Sequence, residues 1–129
     1  MAVRSYKELI VWQRAMDLVV AVYEATRTFP KEEMYGLTSQ IRRCAVSVPS
    51  NLAEGQGRGT TLGFLRYTRI AMGSLQELET QLVLANRLSY MKQELLDGLL
   101  TVSDEVGRLT RGLQKSLGEP DESRYPTSN

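Results

Sequence analysis

The chain has 129 residues, the length of a single domain with a hydrophobic core, and its 42% apolar and 24% charged residues are typical of a folded globular protein. Its one cysteine, Cys44, cannot form an intramolecular disulfide, and the lack of histidine removes the commonest general base and zinc ligand. The net charge of +1 creates no strong overall field for nucleic acid or membranes. We therefore expect no cofactor, no metal and no enzyme activity.

The first predicted helix begins at a capping pattern, Ser5 followed by Glu8, and ends where Phe29-Pro30 interrupts the apolar periodicity. Over residues 6–28 two adjacent apolar stripes follow the helical repeat. The first contains Leu9, Trp12, Met16, Val19, Val20 and Tyr23, and the second contains Val11, Ala15, Leu18 and Val22. This helix therefore has two surfaces to bury.

The second predicted helix follows a proline-containing turn. Pro30, with Glu32 and Glu33, suits the first turn of a helical segment, and Gly36 breaks that segment. An apolar stripe then repeats at spacings of three and four, formed by Leu37, Ile41, Cys44, Val48, Leu52 and Gly55. Pro49 removes a backbone hydrogen bond but leaves the register of the stripe intact, so we predict one helix with a kink at the proline.

A cluster of glycines and threonines at residues 55–61 separates the second helix from the third and supplies a threonine to cap it. The third helix is predicted over residues 61–88, with a main face formed by Phe64, Tyr67, Ala71, Leu75, Leu78, Leu82 and Ala85 and a second stripe formed by Leu65, Met72 and Val83. The fourth is predicted over residues 92–117, with one stripe formed by Leu95, Leu99, Val102, Val106, Leu109, Leu113 and Leu117.

Four long helices with short connections, and no segment that alternates like a strand, predict an all-α fold: an up-down four-helix bundle over residues 1–118. Residues 119–129 contain two prolines and no apolar periodicity, and they are predicted to form a disordered acidic tail. No apolar run approaches the roughly 20 residues of a membrane span, and the amino end lacks the order of a signal peptide. We therefore expect a cytoplasmic protein without membrane contact.

The second apolar stripes predict self-association, because a monomeric bundle has no use for an additional apolar surface. We expect a homo-oligomer whose interface contains Val11, Leu18, Val22, Leu65 and Met72. The alternative is a broad core-facing surface without any subunit contact.

Polar side chains form a ladder beside the apolar stripe of the second helix, formed by Gln40, Arg43, Ser47, Asn51, Glu54 and Arg58. The ladder is either a solvated face with pairs such as Glu54–Arg58 or, together with Arg42, a surface on which guanidinium groups pair with phosphates. In the second interpretation, the residues that contact nucleic acid are Arg42, Arg43, Arg58, Asn51 and Gln40. A structural polar cluster is then formed by Glu54, Ser47 and Glu77.

Two other patterns bear on function. The glycine-rich segment at residues 55–59 resembles a phosphate-binding loop, but it follows a helix rather than a strand, which favours a helix-terminating turn. Glu77 and Glu79 lie about 200° apart around a helix, so a single helix cannot direct both carboxylates to one metal ion. A hydrolase using Glu54 and Glu77 requires a deep pocket with a raised carboxylate pKa.

Longer ordered blocks of residues carry a family resemblance. The amino-terminal block contains Leu9, residues 11–13 (VWQ), Ala15, Phe29-Pro30, Glu33 and residues 35–38 (YGLT). The central block contains residues 40–43 (QIRR), 45–49 (AVSVP), 51–55 (NLAEG) and 57–58 (GR), and the third helix adds Phe64 and residues 70–71, 73–75 and 77–80. In these blocks the chain resembles the four-helix-bundle proteins encoded within intervening sequences of bacterial large-subunit ribosomal RNA genes.

This resemblance implies a left-handed up-down bundle and a ring-like homopentamer. It also implies a relation to the accessory proteins of diversity-generating retroelements, which are basic bundles that bind nucleic acid and associate with a reverse transcriptase. The leading hypothesis is a non-enzymatic homo-oligomer associated with structured RNA or with a nucleic-acid enzyme, in which symmetry repeats Arg42, Arg43 and Arg58 around a ring. The alternative is a protein–protein interaction scaffold whose arginines form structural pairs with carboxylates.

Overall fold

The structure, a computed structural model, describes residues 5–118 and contains four α-helices joined by short connections. They are α1 (Ile10–Thr26), α2 (Leu37–Gly57), α3 (Thr61–Arg87) and α4 (Gln93–Ser116), with single 3-10 turns at Tyr6–Glu8 and Lys31–Glu33. No strand occurs among residues 5–118, so the prediction of an all-α fold is confirmed. The predicted acidic tail, residues 119–129, lies outside the described residues.

Local signals in the sequence set the ends of these helices. The Ser5 hydroxyl accepts a hydrogen bond from the Lys7 amide over 3.2 Å, which caps the first 3-10 turn, and Thr60 Oγ1 accepts one from the Gly63 amide over 3.0 Å, which caps α3. Gly59 has a φ of 77°, a left-handed conformation that glycine adopts without strain, and it turns the chain from α2 into α3. The predicted boundaries of α3 and α4 therefore agree with the structure to within one residue.

Each helix packs against two neighbours: α1 against α2 and α4, and α3 against α2 and α4. The short connections make successive helices antiparallel, which gives the predicted up-down four-helix bundle. At Gly55 the helices α2 and α3 approach so closely that an added β-carbon would lie 2.7 Å from the Tyr67 β-carbon. Pro49 lies inside α2. The kink at this proline and the left-handed arrangement of the bundle remain predictions.

The structure corrects which stripe of α1 faces the core. Val11, Leu18 and Val22, which were predicted to lie at an oligomer interface, are at most 5% exposed and pack in the centre of the bundle. Val20, from the stripe predicted as the core face, is 56% exposed. The interface assignment is wrong for these three residues because their side chains are already buried within one chain and offer no surface to another.

The same correction applies to the second stripe of α3. Leu65 is 7% exposed and belongs to the interior of one chain. Met72 is half-buried against the core, and its place in an interface stays a prediction. The main face of α3 is confirmed at its centre, where Ala71, Leu75 and Leu78 are buried. Self-association itself remains a prediction, and it requires another surface.

The buried face of α4 differs from the predicted leucine stripe, because it includes small and polar residues and leaves one of the predicted leucines exposed. Leu95 is 43% exposed, whereas Ser103 and Thr110 are buried. Their hydroxyls are satisfied, since Ser103 Oγ donates to the Glu79 carboxylate of α3 and Thr110 Oγ1 donates to the Val106 carbonyl. Internal hydrogen bonds remove the cost of burying these polar groups.

An ion pair joins α1 to α4 at the surface of the bundle. Arg14 Nη2 lies 2.6 Å from Glu105 Oε2, and Arg14 Nη1 lies 2.7 Å from Asp17 Oδ2. The hydrogen bond from Arg14 lowers the pKa of the Glu105 carboxyl below its ordinary value. None of the helices between residues 5 and 118 combines the length and the hydropathy required to span a bilayer.

Candidate functional site

Arg42 was predicted to contact nucleic acid, but unlike the other predicted contact residues its side chain packs against α1. Its Nε donates a hydrogen bond to Thr26 Oγ1 over 2.9 Å, and its guanidinium carbon lies 4.7 Å from the centroid of the Tyr23 ring. The buried Thr26 hydroxyl itself donates to the Val22 carbonyl, so Arg42 adds a second hydrogen bond to it and also covers an aromatic face. These contacts give Arg42 a structural role and place it apart from the polar ladder.

Two of the other predicted contacts, Gln40 and Arg43, reach a polar groove between α2 and α3. The groove has a volume of about 340 Å³. Its α2 wall is formed by Gln40, Arg43, Cys44 and Ser47, and its α3 wall is formed by Ser74, Glu77 and Gln81. Ser47 and Glu77, predicted as parts of a separate polar cluster, therefore lie with Gln40 and Arg43 in one site, which we call the α2–α3 groove.

The floor of the α2–α3 groove is a small hydrogen-bonded network. The Ser47 and Ser74 hydroxyls lie 2.8 Å apart. Asn51 Nδ2 donates to the Ser47 carbonyl over 2.8 Å and to the Ser47 hydroxyl over 2.9 Å. Asn51 was predicted to contact nucleic acid, but its side-chain amide is hydrogen-bonded to Ser47 instead. Asn51 therefore affects the groove only by orienting Ser47.

The walls of the groove carry opposite charges that are not paired with each other. Arg43 and Glu77 are exposed, and neither takes part in an ion pair with another residue of 5–118. Gln81 Oε1 is buried, and it accepts no hydrogen bond from the described part of the chain. The groove thus presents a cation, an anion and an unsatisfied amide oxygen within one concavity.

Cys44 lies between these groups and is a poor nucleophile. Burial, together with the charge and hydrogen bonding of Glu77, raises the pKa of its thiol to about 11, and the opposing effects of Gln81 and Arg43 are smaller. A thiol with this pKa is protonated near neutral pH. The prediction that Cys44 packs as a small core-stripe residue is only partly met, since it is half-buried at the edge of the core.

Glu54 does not join Glu77 in a polar cluster, which corrects that prediction. Glu54 Oε1 instead lies 3.0 Å from Arg58 Nη2, one helical turn along α2. Glu77 contacts Cys44, ten residues before Glu54, and ten residues of helix correspond to about 15 Å. The two carboxylates therefore cannot act on one substrate as the acid and base of a hydrolase.

Arg58 lies at the turn between α2 and α3 and contacts both helices. Besides Glu54, its Nη2 donates to the Tyr67 hydroxyl over 2.6 Å, and its guanidinium carbon lies 4.9 Å from the Tyr67 ring centroid. The side chain is nevertheless 50% exposed. Because a guanidinium group has five N–H donors, Arg58 retains donors on Nη1 and Nε for a ligand.

The glycine-rich segment at residues 55–59 is a helix-terminating turn, as the sequence favoured. Gly55 and Gly57 belong to the last turn of α2, and Gly59 supplies the left-handed conformation that ends it. At the start of α3 the Gly63 amide donates its hydrogen bond to the Thr60 hydroxyl, so this amide is not available to an anion. The segment connects two helices and is accounted for by that role.

Exposed basic side chains collect at the end of the bundle where α2 turns into α3. Gln114 Nε2 donates to Thr68 Oγ1, which sets the end of α4 beside the start of α3, and the first 3-10 turn packs against α2. We define the basic end by Lys7, Arg58, Arg66, Arg111 and Lys115, all of which are exposed. Apart from the Arg58–Glu54 pair, none of these cations is ion-paired with another residue of 5–118.

Of this set, only Arg58 is predicted as a contact from the sequence, because the basic end combines side chains from four separate elements. Each cation alone resembles an ordinary solvated charge. The signal available in the sequence was the excess of arginine between residues 42 and 76, which includes Arg58 and Arg66. Its extension to Lys7 and Lys115 depends on the packing of α1 and α4.

An apolar face lies on the outer side of α1 and α2. Its exposed members are Met16, Val20, Tyr23 and Val46, with exposures between 38% and 56%. A neighbouring groove of about 340 Å³ is lined by Tyr6, Trp12, Met16, Val19, Val46, Pro49, Ser50 and Ala53. We call this combined surface the α1–α2 apolar face. Contiguous exposed apolar surface of this kind is typical of interfaces.

Residues 5–118 contain no group of three or more cysteine or carboxylate side chains arranged to hold a metal ion. In particular, Glu77 lies in the α2–α3 groove while Glu79 accepts a hydrogen bond from Ser103 of α4. The two carboxylates diverge from α3, as their spacing predicted.

Comparisons with known proteins identify similar chains. A family model described as 23S rRNA-intervening sequence protein matches residues 7–112. No curated protein sequence matches the chain significantly. A crystal structure at 1.70 Å resolution of a protein with unknown function from the S23 ribosomal protein family of Bacteroides thetaiotaomicron VPI-5482 is similar in fold. The two chains are 20% identical with a TM-score of 0.75, and the match covers 82% of this chain and 96% of the other.

Proposed function

The chain belongs to the 23S rRNA-intervening sequence protein family, and we propose that it is a non-enzymatic RNA-associated protein that contacts phosphates through its basic end and self-assembles through its α1–α2 apolar face. The family description supplies the connection to ribosomal RNA. The arrangement of charged and apolar surface on this chain supplies the proposed sites.

The observation that carries the proposal is the position of five exposed cations within about two helical turns of the same end of the bundle: Lys7, Arg58, Arg66, Arg111 and Lys115. Among the carboxylates that the fold places near them, Glu54 is ion-paired with Arg58. Cations that are not neutralised by the chain itself release counterions when they meet phosphates, which is the main source of affinity for nucleic acid. Guanidinium groups such as Arg58 add bidentate geometry.

Self-association is proposed at the α1–α2 apolar face rather than at the buried residues first assigned to it. The α1 part of this face follows one side of the helix from Met16 to Tyr23, and Val46 of α2 extends it. Covering these side chains with a second copy removes apolar surface from water. A closed oligomer also repeats the basic end, so that a modest charge on one chain becomes a larger basic surface.

The absence of a plausible acid–base or nucleophilic pair among residues 5–118 supports a non-enzymatic role. Glu54 is held by Arg58 at a distance from Glu77, and the pKa of Cys44 is raised to about 11. With no histidine in the sequence, no imidazole base stands beside this thiol to activate it. Binding rather than chemistry is therefore the function that these side chains suit.

The basic end can be tested by fluorescence anisotropy with nuclease-treated protein and a labelled structured RNA over a salt series. The test variant is Arg66→Ala/Lys115→Ala, and the matched control is Lys31→Ala/Arg87→Ala, which removes the same two charges from exposed positions at the opposite end. We expect wild-type affinity to fall steeply with salt. We expect the test variant to bind more weakly, with a salt slope smaller by about 0.7 to 0.9 for each phosphate that it no longer neutralises.

The control should stay within about twofold of wild type, because charges far from the contact act only through a screened field. Equal decreases in affinity for both variants would mean that affinity depends on net charge and not on the basic end. Binding of neither RNA nor DNA at low salt would contradict the proposed function altogether.

The oligomer is tested by sedimentation velocity at micromolar concentration. Val20→Glu places a charge in the α1–α2 apolar face, whereas Leu62→Glu places the same charge at an 80% exposed leucine of α3. We expect Val20→Glu to dissociate the oligomer and Leu62→Glu to leave it assembled. A monomeric wild type would contradict this part of the proposal.

A second candidate function is a protein–protein interaction scaffold. It is favoured by the contacts that several arginines make within the chain, because these contacts suggest a role in stability and not in binding RNA. Arg14, Arg42 and Arg58 each contact a carboxylate, a hydroxyl or an aromatic ring of the same chain. A scaffold predicts that a single stoichiometric protein is recovered with the nuclease-treated chain and that Arg66→Ala/Lys115→Ala retains it. Release of that protein on nuclease treatment would favour the RNA-associated function.

A further inference from the structure

The α2–α3 groove lies apart from the basic end and has its own chemistry. Arg58 directly follows α2 and is fifteen residues beyond Arg43, which corresponds to about 22 Å along the helix axis. A groove of about 340 Å³ has room for a nucleobase, and its two walls differ in hydrogen-bonding character. Its features are therefore not explained by the phosphate contacts proposed for the basic end.

The α3 wall of the groove accepts hydrogen bonds. The Glu77 carboxylate lies near the Cys44 thiol and raises its pKa, and it forms no ion pair with another residue of 5–118, so its oxygens can accept hydrogen bonds from a ligand. Gln81 Oε1 has no donor among residues 5–118, so this wall holds a second acceptor beside Glu77. A ligand that places two adjacent N–H groups against this wall would hydrogen-bond both oxygens of the Glu77 carboxylate.

The α2 wall donates hydrogen bonds. Arg43 is exposed, is not ion-paired within residues 5–118, and lines the groove opposite Glu77. Gln40, one turn earlier on α2, adds an amide to the same wall. A ligand that fits both walls therefore carries adjacent donors on one edge and adjacent acceptors on the neighbouring edge.

We propose that the α2–α3 groove binds a guanine base of unpaired RNA, with Glu77 accepting the N1 and N2 hydrogens and Arg43 donating to O6 and N7. Guanine is the nucleobase whose Watson–Crick edge has two neighbouring donors, whereas adenine, cytosine and uracil each offer one donor beside acceptors. The O6 and N7 acceptors of guanine match an arginine fork. Unstacked bases in loops and single strands are the usual targets of base-specific RNA recognition.

This inference rests on the proposed RNA-associated function and adds base selection to it. Phosphate contacts at the basic end position the strand without reading its sequence, and the groove reads one base. Ser47 and Ser74 form the floor on which the base would lie. Asn51 fixes that floor from outside the groove.

The test compares three otherwise identical single-stranded RNAs of ten nucleotides, in which one central position is guanine, inosine or adenine and all the others are adenine. Inosine keeps N1–H, O6 and N7 but lacks the N2 amino group. Measured by fluorescence anisotropy at one salt concentration, the guanine RNA should bind about tenfold more tightly than the adenine RNA, with inosine between them. Glu77→Gln should reduce the ratio of guanine-RNA to adenine-RNA affinity to about one, because it removes the acceptor that distinguishes the two bases.

The matched control is Glu94→Gln, which neutralises an exposed carboxylate on the α1–α4 side and should retain the preference. Alkylation of Cys44 provides a second measurement that needs no variant: the guanine RNA should slow it more than the adenine RNA, because the base covers the groove. Equal binding of all three RNAs, with salt dependence retained, overturns the groove assignment and leaves the proposed function standing. Failure of every RNA to bind overturns both.

Discussion

The guanidinium of Arg58 donates a hydrogen bond to the Tyr67 hydroxyl over 2.6 Å and also lies over the Tyr67 ring, with its carbon 4.9 Å from the centroid. This contact joins the end of α2 to the first turns of α3 and holds one cation of the basic end in a fixed position. Arg58 therefore has both a structural contact and an exposed charge.

Replacing Arg58 should separate these two roles. We expect Arg58→Ala to lower the free energy of unfolding by about 1 kcal/mol, because it removes a cation–π contact and an exposed ion pair. Arg58→Lys keeps the charge but loses the planar fork, so it should retain most of the salt dependence of RNA binding while losing part of the stability. Urea denaturation and anisotropy on the same preparations check both statements, and an Arg58→Ala variant as stable as wild type would contradict the structural role.

Gly55 and Gly57 provide a sharp test of the close α2–α3 contact. A β-carbon at Gly55 would lie 2.7 Å from the Tyr67 β-carbon and 3.1 Å from Phe64 Cδ1, whereas one at Gly57 meets no heavy atom within 4 Å. Gly55→Ala should therefore destabilise the protein by about 1 to 3 kcal/mol through overpacking. Gly57→Ala should be neutral or stabilising by up to about 1 kcal/mol, since alanine favours helix. Thermal unfolding of both variants should give shifts of opposite sign or clearly different size, and equal shifts would contradict this packing.

The sequence predicts the architecture well because helix ends are locally encoded. Thr60 caps α3, Gly59 ends α2, and the periodic stripes of α2 and α3 place Ile41, Leu52 and Leu78 in the core as observed. These features depend on neighbours a few residues away, and pattern analysis detects them.

The orientation of α1 was not predictable from its apolar residues alone, because its two stripes are adjacent and similar in hydropathy. The stripe that faces the core contains Ala15 and Ala25, whose small side chains allow close packing, and it continues to Phe29. The greater length of this stripe was the one feature of the sequence that could have identified it as the core-facing side of α1. In α4, Ser103 became a core residue because Glu79 of α3 satisfies its hydroxyl, a partner that no local pattern reveals.

In the candidate site, too, features set by neighbouring residues could be predicted and features set by helix packing could not. The spacing along α2 correctly grouped Gln40, Arg43 and Ser47 on one side. It gave no means of knowing that Arg42 reaches back to Thr26 of α1 or that Glu77 of α3 faces Arg43. Those contacts depend on which helices are neighbours, a property of the assembled bundle.

Arg42 and Arg43 should differ in their effects although they are adjacent in sequence. Arg42→Ala removes a hydrogen bond to the buried Thr26 hydroxyl, which keeps its bond to the Val22 carbonyl, and uncovers Tyr23, so it should cost about 1 kcal/mol of unfolding free energy. Arg43→Ala changes an exposed side chain and should stay within about 0.5 kcal/mol of wild type. Denaturant titration of the two variants checks this difference, and the reverse order would contradict the structural role of Arg42.

Stability in acid should depend on the Arg14–Glu105 bridge. Because the hydrogen bond from Arg14 lowers the folded-state pKa of Glu105, the bridge contributes fully above the ordinary value of 4.5 and is lost as the pH falls through the folded-state pKa. Glu105→Gln should therefore lower the unfolding temperature near pH 7 and reduce its further decline below pH 4.5. Asp104→Asn is the control, since this exposed carboxylate lies 3.9 Å from Arg108 on the same helix. Identical acid profiles for Glu105→Gln and wild type would contradict the bridge.

Cys44 should react slowly with alkylating reagents near neutral pH. Its alkylation rate should rise toward a midpoint near pH 11, because burial and the neighbouring Glu77 raise its pKa to about 11. Glu77→Gln removes the charge that disfavours the thiolate, so it should shift the midpoint to lower pH and accelerate the reaction below that midpoint. Mass spectrometry of the alkylated protein over a pH series gives both profiles. A wild-type midpoint near the ordinary thiol value would show that Cys44 does not lie beside Glu77.

The most direct test of the basic end is ultraviolet cross-linking of the full chain to a structured RNA, followed by mass spectrometry of the linked peptides. The proposed function predicts cross-links in two peptides, one containing residues 58–66 and the other containing residues 111–115. These segments are brought together by the hydrogen bond between Thr68 of α3 and Gln114 of α4. They should weaken as salt is raised. Cross-links confined to the opposite end of the bundle, around Lys31 and Arg87, would contradict the assignment of RNA contact to the basic end.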